Sequence, residues 1–189
     1  ALEMGCGEGR DSIYLAKIGF HVTGMDVSQS AIKHAKKRTK KEMVDIDFLV
    51  ANVANIPLKD DVFDLAVNVA CLQMLVDQGI RDKHLHETFK VLTHGGIYFS
   101  CNVGVDESTT IEEFYQKLGK NPGDLIPKKI TIQGKEKEIY LPLIAAWPKS
   151  REQYIEEFVK AGFHISKVYR EETKPVGSCW VVIATKHHI

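Results

Sequence analysis

The 189-residue chain has only four cysteines, no Cys-x-x-Cys pair, no surplus charge of either sign and no long apolar run. Cys6, Cys71, Cys101 and Cys179 are far apart in sequence. That spacing reads as reduced thiols in a cytoplasmic setting and excludes a disulfide-framed secreted domain. Lys+Arg and Asp+Glu each number 25, so the formal net charge is zero. A general nucleic-acid binder relies on surplus positive charge, so no nucleic-acid partner is expected. No stretch approaches the roughly 20 apolar residues that cross a bilayer as a helix, so no membrane partner is expected either. There is no His-Glu-x-x-His motif and no Cys/His ligand spacing, so no metal site is expected. Strand-like sequence starts at once at Ala1, which is not a methionine, so upstream residues are expected in the natural protein.

The sequence that is present alternates between two periods. Residues 1–4 are a short apolar strand ending at a glycine cluster. Ile13, Leu15, Ala16 and Ile18 follow with helical spacing, and Gly19 ends that helix. Residues 21–25 are a second strand. Ser28 N-caps a second helix whose inner face is Ala31, Ile32 and Ala35. Residues 46–50 and 63–69 are further strands, the latter apolar on both faces as buried parallel strands are. Leu85, Phe89 and Leu92 stripe a helix that stops at Gly95-Gly96, and residues 97–102 are a fifth strand. Strands separated by helices predict right-handed βαβ units and a parallel sheet. Residues 104–148 interrupt this pattern with a helix over 111–118 and a hairpin. Ile130 and Ile132 alternate before Gln133-Gly134, and Ile139 and Leu141 after it. Ser150 and Gln153 form a capping box for a helix carrying Tyr154, Ile155, Phe158 and Val159, which Gly162 ends. Residues 163–169 and 179–185 are the last strands. Their short connection, with Pro175 and Gly177, predicts an antiparallel hairpin at the sheet edge.

The segment Glu3-Met4-Gly5-Cys6-Gly7-Glu8-Gly9 falls on the first strand-to-helix turn. Glycines there permit a tight turn and close approach of a ligand, and the helix behind them offers free N–H groups. A dinucleotide site needs G-x-G-x-x-G. This turn is G-x-G-x-G with Glu8 inside it, and a carboxylate beside a pyrophosphate is repulsive. A zwitterionic or cationic ligand fits better.

This segment resembles the first motif of class I S-adenosylmethionine-dependent methyltransferases, and the resemblance continues in register through about residue 103. Asp26, 21 residues after Gly5, matches the acid that binds the ribose hydroxyls. Asn52 matches the polar residue that meets the adenine amino group, with Val53 adding backbone contact. Pro57-Leu58 and Phe63-Asp64-Leu65 match the lead into the fourth strand. Leu92-Thr93-His94-Gly95-Gly96 matches a Leu-Lys-Pro-Gly-Gly turn, with His94 where proline is usual. Glu3 resembles the acid that helps place the methionine ammonium. The resemblance implies a Rossmann-like seven-stranded αβα sandwich, mostly parallel with an antiparallel edge strand. It implies S-adenosylmethionine as cofactor and S-adenosylhomocysteine as product. The implied cofactor contacts are Glu3, Gly5, Cys6, Gly7, Gly9, Asp26, Val27, Asn52, Val53 and Asn68. Within one domain, residues 1–103 form the cofactor-binding half, 104–148 an insertion or lid, and 149–189 the completing helix and edge strands.

Transfer of an activated methyl is an in-line displacement that needs placement more than acid–base chemistry, and no catalytic residue is assigned. Asn68-Val69-Ala70-Cys71 lacks the Asn-Pro-Pro-Tyr of base N-methyltransferases, and the acids of metal-dependent O-methyltransferases are missing. A small-molecule acceptor is therefore expected, without metal, in a pocket built by Cys71, Gln73, Met74, Asn102 and Trp147. Residues 9–15 also resemble the tellurite-resistance and thiopurine types. The alternatives are an aminopropyl transferase, a cofactor-binding pseudoenzyme or regulatory subunit, and an RNA or protein methyltransferase. Cys6, Cys71 and Cys101 near neighbouring strand ends are either a thiophilic-metalloid site or ordinary small buried residues. His84 and His86 read as surface or partly buried residues, and Lys33, Lys36, Lys37, Arg38, Lys40 and Lys41 as a solvated helix face. Oligomeric state and acceptor atom are left open by the sequence.

Overall fold

The computed structural model describes residues 1–132, 135–173 and 177–187. Seven strands form one sheet: β1 (Leu2–Met4), β2 (Thr23–Asp26), β3 (Asp47–Val50), β4 (Phe63–Val69), β5 (Leu92–Val103), β8 (His164–Thr173) and β9 (Gly177–Thr185). Their order is β3-β2-β1-β4-β5-β9-β8. The helices are α1 (Arg10–Lys17), α2 (Gln29–Glu42), α3 (Gln78–Val91), α4 (Ile111–Leu118) and α5 (Arg151–Lys160). A separate antiparallel pair, β6 (Leu125–Ile132) and β7 (Lys135–Pro142), follows α4. The residues Gln133-Gly134 and Pro175, expected in the two hairpin connections, lie outside the described residues. The expected hairpin sits at the sheet edge: β8 is the edge strand and pairs antiparallel with β9. β9 also opposes β5, so it alone runs against the other strands of this sheet.

Local chemistry sets the helix ends. The Ser28 hydroxyl accepts from Ala31 N at 3.3 Å and starts α2, and Ser150 and Gln153 complete the capping box of α5. One helix boundary differs markedly from the sequence reading, and the last three strands of the sheet run longer than expected. α3 stops at Val91, not at Gly95-Gly96, because Leu92 is already extended and pairs with Phe63. The glycines instead meet the C-terminal end of β9, where Gly95 N donates to Lys186 O at 2.7 Å. Tertiary pairing thus takes Leu92 out of a helical stripe.

The main core lies between the sheet and α3 with α5. Tyr98 and Phe158 stack at 5.1 Å, both wholly buried, and Phe163 closes on them at 5.5 and 5.8 Å. Burying a side chain of this size stabilises by about 1.5–3 kcal/mol. On the opposite face, α1 and α2 cover one half of the sheet. The remaining apolar side chains, among them Val67, Phe99, Cys101 and Val181, line an open groove of about 650 Å³. Strand β1 runs outward one way to β2 and β3, and β4 the other way to β5. The switch point lies between β1 and β4, where ligands bind in open α/β sheets.

Candidate functional site

A cleft of about 450 Å³ opens at that switch point. Gly5 follows β1, Asp26 ends β2 with Val27 next to it, residues 51–53 follow β3, and Ala70 and Cys71 follow β4. Met74, Leu75 and Ile80 complete an apolar wall. Gly5, Gly7 and Gly9 all have positive φ, between 53° and 74°. A Cβ on Gly5 would stand 2.6 Å from Cys71 Sγ, whereas one on Gly7 would meet nothing within 4 Å. Gly5 therefore lets two strand ends converge, and Gly7 leaves room for a ligand. Gly7 N donates to Asp26 Oδ2 and Ser28 N to Asp26 Oδ1, both at 2.8 Å. One carboxylate thus ties the glycine turn to the start of α2. Ala70 also has φ 59°, uncommon for a residue with a Cβ. Its N–H donates to Cys101 O at 2.8 Å, which holds the bend.

Glu3, an expected cofactor contact, does not line the cleft: it is buried behind the glycine turn, where it accepts a hydrogen bond from the Ser12 hydroxyl of α1. Burial pushes its carboxyl up to about 7, against the Ser12 hydrogen bond that lowers it. Burial likewise pushes the Cys71 thiol up to about 12 and the Cys6 thiol up. Both stay protonated at neutral pH and are poor nucleophiles.

Not every expected site residue meets here. Asn68 is a correction. It is wholly buried, its amide oxygen accepts from Cys71 N (3.0 Å) and Leu72 N (3.2 Å), and its NH2 donates to Tyr98 (3.1 Å). Its side chain caps a turn and does not face the cleft. Gln73 and Asn102 are corrections too. Gln73 Oε1 accepts from Val103 N at 2.5 Å, and Asn102 Oδ1 from Gln73 N at 3.2 Å. They fasten two strand ends to each other, leaving Cys71 and Met74 as the expected pocket residues that do line the cleft. Trp147 is fastened at both ends: its backbone N–H donates to Gln73 O at 2.7 Å and its indole to Thr109 O at 3.3 Å. The three thiols do not converge, because Cys101 lines the groove on the other side of the sheet. Among the described residues no cluster of three His, Cys, Asp or Glu side chains is arranged to hold a metal. Lys33, Lys36, Lys37 and Lys40 are exposed on the outer side of α2.

Two buried polar systems went unrecognised in the sequence. His84, expected near the surface, is wholly buried. Its Nδ1 is 3.2 Å from Val53 O and its Nε2 is 2.9 Å from Tyr98 Oη. A carbonyl only accepts, so Nδ1 carries the proton and Nε2 accepts from the tyrosine. Burial pushes this imidazole down to about 4, so it is neutral at pH 7. The second system is Arg81, Glu157 and Lys149, all buried and linked by ion pairs of 2.7 and 2.9 Å. The available signal was spacing. Arg81, His84, Leu85 and Thr88 share one helical face, and Tyr154, Glu157 and Phe158 another. Val159, grouped with that helix's apolar residues in the sequence, is 56% exposed, one position past the inward-facing Glu157 and Phe158.

A glycine turn with positive φ and the Asp26 carboxylate stand together at the switch point of a doubly wound sheet. Comparison with known proteins gives the family: residues 1–96 match the methyltransferase domain family, and the chain belongs to it. A probable S-adenosylmethionine-dependent methyltransferase of Mycolicibacterium smegmatis is 32% identical over 97 residues, 51% of this chain and 35% of that protein. The chain thus spans about a third of that relative's length. The structure of an S-adenosylmethionine-dependent methyltransferase from Methanosarcina mazei superposes with a TM-score of 0.76 at 24% identity, covering 100% of this chain and 92% of that one. A 1,6-didemethyltoxoflavin-N1-methyltransferase of Burkholderia thailandensis, solved with bound 1,6-didemethyltoxoflavin and S-adenosylhomocysteine, gives a TM-score of 0.71 at 18% identity, covering 99% of this chain and 70% of that one. These two likenesses establish the fold. Among the described residues no helix is long and apolar enough to cross a membrane.

Proposed function

We propose that the chain is the catalytic unit of a methyltransferase that takes S-adenosylmethionine and methylates a small molecule without a metal. The observation that carries this reading is the Asp26 carboxylate, held at the rim of the cleft by Gly7 N and Ser28 N. A charged acceptor beside a glycine turn suits a vicinal diol and repels a diphosphate. The residues present fit the cofactor. Asp26 would take the ribose hydroxyls. Asn52, whose oxygen already accepts from Ala54 N at 2.9 Å, keeps a second lone pair for the adenine amino group. Val27 and Val53 would flank the base, the Gly5-Cys6-Gly7-Glu8-Gly9 turn the amino-acid portion, and Glu3 would face the ammonium.

When bound, the cofactor supplies a methyl group already activated on a sulfonium. The protein orients that group and excludes water. Cys71, Met74, Leu75 and Ile80 present an apolar wall, and its one thiol is held protonated by burial. With no carboxylate or imidazole on that wall, the acceptor arrives already nucleophilic, as an amine, a thiolate or an acidic hydroxyl. The small-molecule class is supported by the Burkholderia enzyme of the same fold and by the resemblance of residues 9–15 to the tellurite-resistance and thiopurine types. Cys6 and Cys71, both held as protonated thiols by burial, fit a reducing, cytoplasmic compartment.

Calorimetry with S-adenosylhomocysteine and, separately, NAD tests the site. Micromolar binding of the former and none of the latter is expected; the reverse would overturn the assignment. Transfer of labelled methyl to a panel of amines, thiols and phenols then tests the acceptor class. Turnover confined to an RNA or a protein substrate would refute it.

A further inference from the structure

The buried ions Arg81, Glu157 and Lys149 do not line the cleft, yet they hold its wall. The Arg81 guanidinium meets Glu157 through two bonds of 2.7 Å. Lys149 reaches Glu157 Oε1 at 2.9 Å and Gln78 Oε1 at 2.6 Å, with its ammonium 3.7 Å over the Trp147 ring. Burial alone would raise the Glu157 carboxyl, but the two cations outweigh it and hold it below the usual range. Two cations against one carboxylate leave donors to spare. Arg81 directs its spare Nη1 at the turn after β4, donating to Leu72 O at 2.6 Å and Leu75 O at 3.2 Å. Between these, Gln73 O accepts from Trp147 N at 2.7 Å. That turn, residues 71–75, carries Cys71, Met74 and Leu75 of the cleft wall. Within itself it makes two backbone bonds, Met74 N to Cys71 O (2.9 Å) and Leu75 N to Leu72 O (3.1 Å).

We propose that Arg81 is a positioning residue of the cofactor cleft: by holding the Leu72 and Leu75 carbonyls it sets where Cys71, Met74 and Leu75 stand, and Glu157 aims its fork. This rests on the reading of the cleft as a sulfonium-nucleoside site. A lysine cannot replace it, since one ammonium lacks the planar fork that bonds a carboxylate twice and still reaches two carbonyls. Lys149 differs in kind. It shares Glu157 but touches neither carbonyl, so its removal leaves the clamp intact.

The test compares Arg81→Met with Lys149→Met, each of which removes one cation and leaves Glu157 with the other. S-adenosylhomocysteine affinity is measured by calorimetry well below both melting temperatures, with amide exchange at Met74 and Leu75. Arg81→Met is expected to weaken binding at least ten-fold and to speed exchange of those two amides. Lys149→Met should bind within two-fold of the parent whatever its melting temperature. A merely structural role predicts losses that follow melting temperature in both variants. That result, or parent-like binding by Arg81→Met, overturns the proposal. If Arg81→Met does not fold, Arg81→Lys is read by the same contrast. A parent that binds no S-adenosylhomocysteine sinks the cofactor reading instead, and amide exchange then still decides whether Arg81 holds the turn.

Discussion

Glu3→Gln separates what the fold needs from what the ligand needs. Glu3 holds its proton to about pH 7, whereas an ordinary glutamate loses it near 4.5. As pH rises from 4.5 to 7, the unfolded chain ionises at this position and the folded chain does not. The folded state therefore loses stability across that window, the opposite of the usual salt-bridged carboxylate. A displacement of about 2.5 pH units at about 1.36 kcal/mol each gives a cost of about 3 kcal/mol above pH 7. Glutamine has nearly the same shape, keeps an oxygen for the Ser12 hydroxyl and carries no charge to desolvate. Urea denaturation across pH should find Glu3→Gln equal to the parent near pH 4.5 and more stable by up to about 3 kcal/mol at pH 8. S-adenosylhomocysteine affinity at pH 8 should move the other way and fall about ten-fold, the worth of a charge-assisted hydrogen bond of about 1.5 kcal/mol. A stability difference flat with pH, or a variant less stable than the parent at pH 8, refutes the reasoning.

His84 has the opposite dependence on pH. Its folded value of about 4 lies below the ordinary 6.5, so stability falls as pH drops through that interval, by about 3 kcal/mol in total. In the parent this limb is offset by Glu3 between about pH 4.5 and 6.5; in Glu3→Gln it should stand alone in acid denaturation curves. Tyr98→Phe removes the proton donor to His84 Nε2 and should cost about 1–3 kcal/mol by chemical denaturation, since it leaves a buried acceptor unpaired. Gly5→Ala should cost more stability than Gly7→Ala. Both adopt a left-handed φ worth about 1–2 kcal/mol against a side chain, but only Gly5 adds collision with Cys71. For S-adenosylhomocysteine, Gly7→Ala should bind worse, because its Cβ enters the space left for a ligand; calorimetry checks this. Asp26→Ala should lower that affinity more than ten-fold, and unchanged binding would remove the ribose assignment.

Much of the site was legible in one dimension because its chemistry is local. Glycines with positive φ can be read from a strand-to-helix turn, and Asp26 from its place one βαβ step later. Each lies at the carboxyl end of a strand that its own periodicity announces. Periodicity likewise marked β4, α4 and the α5 capping box. It failed where a residue's partner is remote in sequence. Leu92 fits a helical stripe until Phe63 pairs with it. Asn68, Gln73 and Asn102 are polar residues at strand ends, suited equally to a ligand or to stray backbone groups, and only the packed fold spent them on backbone.

The sequence by itself therefore determined the sheet's alternating elements, the glycine turn after β1 and the acid bonded to it, because each follows from backbone freedom and spacing over a few residues. Only the tertiary structure decided which polar side chains turn inward. Arg81 and Glu157 are 76 residues apart in the chain and meet as a buried pair. Burial, which no local pattern encodes, is also what holds the His84 imidazole neutral and the Glu3 carboxyl near pH 7.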